Sequence, residues 1–217
     1  MADIQNLGLF ILAGWLLNLT PGPDVLYIVS TALRSGARAG VVAALGITAG
    51  CFVHVFAAAL GVSALMAASS TAFTVLKWAG AAYLCHVGVK LLFFRSKPPM
   101  EYIAENQIQE RAVALNSIFF KGFFTNAINP KVALFFLAFV PQFIAPGASH
   151  PALTFVLLGV LFNVNALPIN IGYALLGAWA TRRLGAVQRA MQMLDRVAGV
   201  MFVGFGVKLA LTEAPQP

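Results

Sequence analysis

Charged residues are scarce in this sequence. Asp, Glu, Lys and Arg together make up 10% of its 217 residues, whereas a water-soluble domain carries about a quarter; 60% of the chain is hydrophobic and the mean hydropathy is +0.85. That balance argues against a soluble fold. Cysteine is nearly missing as well. Cys51 and Cys85 are the only two and both lie in apolar runs, which leaves neither a disulfide framework nor a zinc-ligand spacing; each reads as a small buried hydrophobe. Segments of about ten residues alternating polar and apolar are absent, which excludes a transmembrane β-barrel. The opening stretch lacks positive charge: Asp3 precedes the first apolar run, which therefore reads as a retained first helix rather than a secretory signal. No serine, histidine and carboxylate recur at a recognisable catalytic spacing, so no enzyme, cofactor or metal is expected.

What the sequence does have is apolar runs of membrane-spanning length, about 20 residues each. Six are expected, at Ile4 to Leu33, Ala39 to Met66, Ala72 to Phe94, Val113 to Val140, Ala152 to Trp179 and Met191 to Leu211. The fold class is all-α and integral to the membrane, a single domain over 1–217, with a polar linker at 95–112 between residues 4–94 and 113–212. Basic residues cluster after the first, third and fifth spans: Arg34 and Arg38; Lys90, Arg95, Lys97, Arg111 and Lys121; Arg182, Arg183, Arg189 and Arg196. Cytoplasmic loops retain such charge, which puts both termini outside. The same placement accounts for the net charge of +7 without a nucleic-acid partner.

The halves echo one another. Gly14 to Asn18 reads GWLLN and Gly122 to Asn126 reads GFFTN, each followed within a few residues by proline; the GVKL of Gly88 to Leu91 returns at Gly206 to Leu209; Leu45-Gly46-Ile47 has a weaker echo in Leu158-Gly159-Val160. With three spans per half, the second repeat must be inserted upside down, as in many secondary transporters.

Two proline motifs interrupt the first and fourth spans. In Asn18-Leu19-Thr20-Pro21-Gly22-Pro23-Asp24, Pro21 and Pro23 remove backbone donors and break the helix. Thr20 before Pro21 is expected to cap a new half-helix, as is Asn129 before Pro130 in Asn129-Pro130-Lys131. Half-helix N-termini favour an anion such as a carboxylate, and broken backbone at membrane depth needs a cavity. Asp24 and Lys131 each stand beside a break. Intramembrane charges are expensive and default to functional or paired roles; a structural salt bridge between the repeats and a site where Asp24 receives an ammonium or a proton and Lys131 a carboxylate are both expected readings, and they are not exclusive.

The fifth span adds Asn163, Asn165, Pro168 and Asn170. Asn163 and Asn170 share a helix face and Asn165 does not; the ordinary reading is hydrogen bonding between helices, the alternative a cavity lining. His54 follows Cys51 by one turn and His86 follows Cys85 directly, a pattern that reads as packing, with a soft-metal site or thiol pair as the rival. Tyr83 could present its hydroxyl to the cavity.

Three marks, Asn18 to Asp24 (NLTPGPD), Tyr83-Leu84 to Lys90, and Asn129 to Phe143 (NPKVALFFLAFVPQF), resemble the LysE/RhtB family of amino-acid exporters over essentially the whole chain. The resemblance implies a bacterial inner-membrane secondary exporter of amino acids driven by protons. On that reading the translocation site comprises Asn18, Thr20, Pro21, Gly22, Pro23, Asp24, Tyr83, Asn126, Asn129, Pro130, Lys131, Asn163 and Asn170, with Asp24 coupling to the proton, and a homo-oligomer is compatible with it. The alternatives are a metal-ion exporter using Asp24, His54 and His86, and a membrane thiol-redox carrier using Cys51 and Cys85.

Overall fold

A computed structural model describes residues 3–68, 114–145 and 147–179 continuously and part of 74–93 and 193–211. Tyr83, the 95–112 linker, Lys90 and the arginines at 182, 183 and 189 lie outside the described residues. Apart from one isolated bridge between Ile4 and Ile144, the described secondary structure is helical.

Helix α1 (Leu7–Leu19) is an uninterrupted apolar run that buries Phe10, Ala13, Gly14, Leu16 and Leu17. It stops at Thr20, whose backbone turns to φ −74°, ψ 118° before Pro21. Helix α2 (Pro23–Ala68) is interrupted at Gly36, where φ is 82° and ψ 175°, a left-handed φ that glycine adopts without penalty. A Cβ on Gly40 would lie 2.7 Å from the Ala32 methyl, whereas eight residues of continuous helix would separate them by about 12 Å. The chain therefore doubles back at Gly36, between the exposed Arg34 and Arg38, into stretches 23–35 and 37–68. The turn falls between the first two expected spans, Ile4 to Leu33 and Ala39 to Met66.

Helix α3 (Leu115–Ala127) and helix α4 (Pro130–Leu134) flank the second break. A π-helical turn, Phe135–Phe139, and a 3-10 turn, Val140–Phe143, follow α4, and the chain bends by 46° across the break. Helix α5 (Pro151–Trp179) runs through Pro168 without interruption. By length and composition two of the described helices can cross a membrane, or three if the bent pair counts as one span; the doubling back at Gly36 divides the longest in two.

Helix pairs approach closely through glycine. Between apolar helices in lipid there is little hydrophobic drive, so small residues and van der Waals packing carry association. A Cβ on Gly46 or on Gly50 would overlap the carbonyl oxygen of Phe119 or Phe123, and one on Gly122 would stand 2.8 Å from that of Ala43. These glycines set 37–68 directly against the backbone of α3. Large apolar side chains such as Phe56, Leu60, Phe120, Phe124, Ile128 and Trp179 are exposed, as a lipid-facing surface requires.

The interior holds two clusters. In one, Phe10, Phe135, Phe136, Phe139, Phe143, Phe155 and Phe162 pack together, with Phe139 and Phe143 at 5.0 Å and Phe136 and Phe162 at 5.2 Å between ring centroids. In the other, Val25, Ile28, Val29, Ala43 and Ile47 meet Ile118 and Tyr173. The two breaks are juxtaposed by hydrogen bonds that join residues more than a hundred positions apart in the sequence.

Candidate functional site

Both breaks begin as local chemistry. At the first, Thr20 was expected to open the second half-helix, but it closes the first: its backbone N–H and its hydroxyl both donate to the Leu16 carbonyl, at 3.0 and 2.6 Å. A threonine hydroxyl can satisfy the preceding turn as readily as it caps the following one, and Pro21 cannot lead a helix here because the new one starts at Pro23. The first backbone bond of α2 runs from Leu26 N–H to the Gly22 carbonyl at 2.9 Å. At the second break the expected cap forms. Asn129 takes φ −75°, ψ 111°, its side-chain oxygen accepts from Lys131 N–H at 3.0 Å, and Pro130 follows at the first helical position.

The charged residue after each proline crosses to the other break. Lys131 Nζ donates to the Leu17 carbonyl at 3.0 Å and to the Thr20 carbonyl at 3.1 Å, which lie at the C-terminal end of α1. The last carbonyls of a helix have no partner within it and carry the negative end of its dipole. Asp24 Oδ2 accepts from Asn126 Nδ2 at 3.2 Å and from Asn129 Nδ2 at 2.9 Å. Tyr173 of α5 donates to the Leu19 carbonyl at 2.8 Å, and a ring nitrogen of the buried His54 lies 2.7 Å from the Asn126 carbonyl. The breaks are thus held from four elements.

Between them lies a cavity of about 20 Å³. Six of the residues expected at a site line it: Asn18, Asp24, Asn126, Lys131, Asn163 and Asn170. Pro21, Gly22, Pro23, Asn129 and Pro130 shape the breaks around it. Thr48 and Cys51, one turn apart on α2, also line the cavity, and the sequence reading gave neither a place there. Their only signal was a polar and a thiol side chain on one face of an apolar helix.

On α5 the asparagines separate as their spacing predicts. Asn163 and Asn170 are buried at the cavity, whereas Asn165 Oδ1 accepts from Trp15 Nε1 at 3.3 Å. Bonding between helices thus describes Asn165, while the Asn163 amide nitrogen returns to the Gly159 carbonyl of its own helix at 3.1 Å and its side chain also lies against the Cys51 thiol of α2. Among the described residues no three of His, Cys, Asp and Glu come together as a metal site. Cys51 lines the cavity and Cys85 packs against Gly206.

The LysE type translocator family matches residues 15–213. This chain belongs to that family. The family is one of translocators, so this LysE type chain is a membrane transport protein and not an enzyme, and neither the metal nor the thiol-redox alternative is favoured. It is 37% identical over 198 residues, 88% of each chain, to an uncharacterized membrane protein of Pseudomonas aeruginosa, and 30% identical to an uncharacterized membrane protein of Vibrio cholerae over 98% of this chain and 100% of the relative. A leucine efflux protein of Salmonella typhimurium is 26% identical over 97% of both chains. No solved structure matches.

Proposed function

We propose that this chain is a secondary exporter of amino acids across the bacterial inner membrane, coupled to protons and working by alternating access. The observation that carries the reading is the meeting of two broken helices, with Asp24 and Lys131 crossing between them beside a polar cavity. Discontinuous helices meeting at a central site are a recurring device of secondary transporters. The relative named for leucine efflux supports amino acids as the substrate class.

An inverted repeat of three helices per half, 4–94 and 113–212, accounts for reciprocal contacts. A Cβ on Gly88 would meet Gly199 and Val203, and one on Gly206 would meet Ala81 and Cys85; a single offset along the chain carries Ala81, Cys85 and Gly88 onto Gly199, Val203 and Gly206. The N-terminal segment lies against 142–145 through Gln5 N–H to the Phe143 carbonyl at 2.9 Å and Ala145 N–H to the Asp3 carbonyl at 2.8 Å. That supports one membrane face for the N-terminus and the 141–150 connection, the outer face by the distribution of basic residues.

A cavity of about 20 Å³ has room for roughly one water, so the site must open to admit a zwitterion. In the mechanism, the phenylalanine cluster around Phe139 and Phe143 closes one side and parts during the cycle, with the adjoining π turn as the yielding element, a common place for π-helical geometry. The substrate ammonium meets ionised Asp24 and its carboxylate meets Lys131 and the half-helix N-termini. Protonation of Asp24 from outside weakens the ammonium contact and releases the substrate.

The test is efflux of a panel of labelled amino acids from proteoliposomes with and without a pH gradient. Gradient-driven efflux is expected from the wild type and at least a tenfold loss in Asp24→Asn; undiminished coupling in that variant removes Asp24 from the mechanism, and absence of any amino-acid flux from folded protein removes the exporter reading.

A further inference from the structure

We propose that Asp24, Asn126 and Asn163 form a recognition site for a primary ammonium group, with one oxygen for each of its three N–H donors. This deepens the export reading and rests on it, and it brings in Asn126 and Asn163 as specificity-determining residues.

Among the described residues, the buried side-chain polar atoms that accept no hydrogen bond from the protein are Asp24 Oδ1, Asn126 Oδ1 and Asn163 Oδ1. All three residues line the same cavity, and they are 8%, 3% and 3% exposed. They come from three elements, α2, α3 and α5. In each case the partner atom on the same side chain is already engaged. Asn126 Nδ2 donates to Asp24 Oδ2, Asp24 Oδ2 also accepts from Asn129 Nδ2, and Asn163 Nδ2 donates to the Gly159 carbonyl. Those bonds orient both amides with nitrogen toward protein and leave oxygen over.

A buried acceptor left without a donor is unfavourable; three around one cavity specify a ligand with several donors and no acceptor. An alkylammonium has three N–H donors and no lone pair. Its single positive charge matches the one carboxylate of the set, and a cavity with room for roughly one water admits a head group of similar size. A divalent cation calls for a richer shell of six or more oxygens and commonly more than one carboxylate. A water molecule supplies two donors for three acceptors. The Lys131 ammonium donates to the Leu17 and Thr20 carbonyls and acts on Asp24 by its charge, and Asp24 Oδ1 accepts from no donor among the described residues.

The experiment is thermal unfolding of the purified full chain with methylammonium, dimethylammonium, tetramethylammonium or sodium chloride at matched ionic strength. Methylammonium is expected to raise Tm by about 3 °C near ten times its Kd, dimethylammonium by less, and the other two not at all. Asn163→Leu is expected to remove the order, and Asn163→Gln, which keeps a neutral amide with its acceptor, to retain it. Equal protection by sodium or tetramethylammonium overturns the proposal, since charge alone then suffices; so does protection unchanged in Asn163→Leu. The wild-type series decides even if that variant does not fold. Failure of the export reading registers separately, as missing flux in liposomes while methylammonium still protects.

Discussion

The two breaks solve the same problem with opposite charges. Behind the first, the chain offers bare helix-end carbonyls at Leu17 and Thr20, and the group that reaches them is a cation, Lys131. Behind the second it offers amide nitrogens, Asn126 and Asn129, and the group that reaches them is an anion, Asp24. The difference follows from backbone chemistry. A helix C-terminus presents acceptors for nothing, so a lysine needs no help from side chains, but it presents no donors. A carboxylate crossing to that end must be met by side chains that carry N–H groups, which is why asparagines stand there. Asp24 and Lys131 are therefore not interchangeable halves of one ion pair; each is fitted to what the opposite break exposes.

Exchanging the charges, Asp24→Lys with Lys131→Asp, is the strongest way to break that comparison. The carboxylate placed at 131 would face carbonyls and the ammonium placed at 24 would face amide nitrogens, and losing buried charge partners costs about 3–5 kcal/mol. Thermal unfolding in detergent should show a large fall in Tm and export should vanish; a double exchange with near wild-type stability would mean that mutual attraction is all that matters. Asn129→Ala comes next, because it removes both the cap of α4 and one donor to Asp24, a loss of about 1–2 kcal/mol. Export should fall with it, and an unaltered Tm would show that the cap seen at Lys131 N–H contributes nothing. Thr20→Val should do least, about 1 kcal/mol or less, since that hydroxyl only returns to the Leu16 carbonyl of its own helix. A loss as large as that of Asn129→Ala would restore to Thr20 the capping role that the fold assigns elsewhere.

Much of the architecture was legible before any coordinates. Pro21, Pro23 and Pro130 announced the breaks because a missing backbone N–H acts locally, whatever the surroundings. Asn163 and Asn170 declared a common face by spacing alone, and both line the cavity. Thr20 misled because a hydroxyl can bond backward or forward and sequence does not choose between them. Thr48 and Cys51 stayed hidden for a different reason: on an apolar helix, the face that meets a cavity differs from the face that meets a neighbour only in what stands opposite.

Membrane residence, the positions of the breaks and the charges beside them were determined by the sequence itself, since hydropathy, proline and the rarity of charge in apolar runs act within a turn or two of chain. Which groups those charges meet was decided only by the tertiary structure. Lys131 on the carbonyls of α1, Asp24 on the asparagines of the second break and His54 beside the Asn126 carbonyl join residues far apart in the chain. Their partners are set by how closely glycines such as Gly46, Gly50 and Gly122 allow the helices to approach, and that distance is a property of the packed helices together.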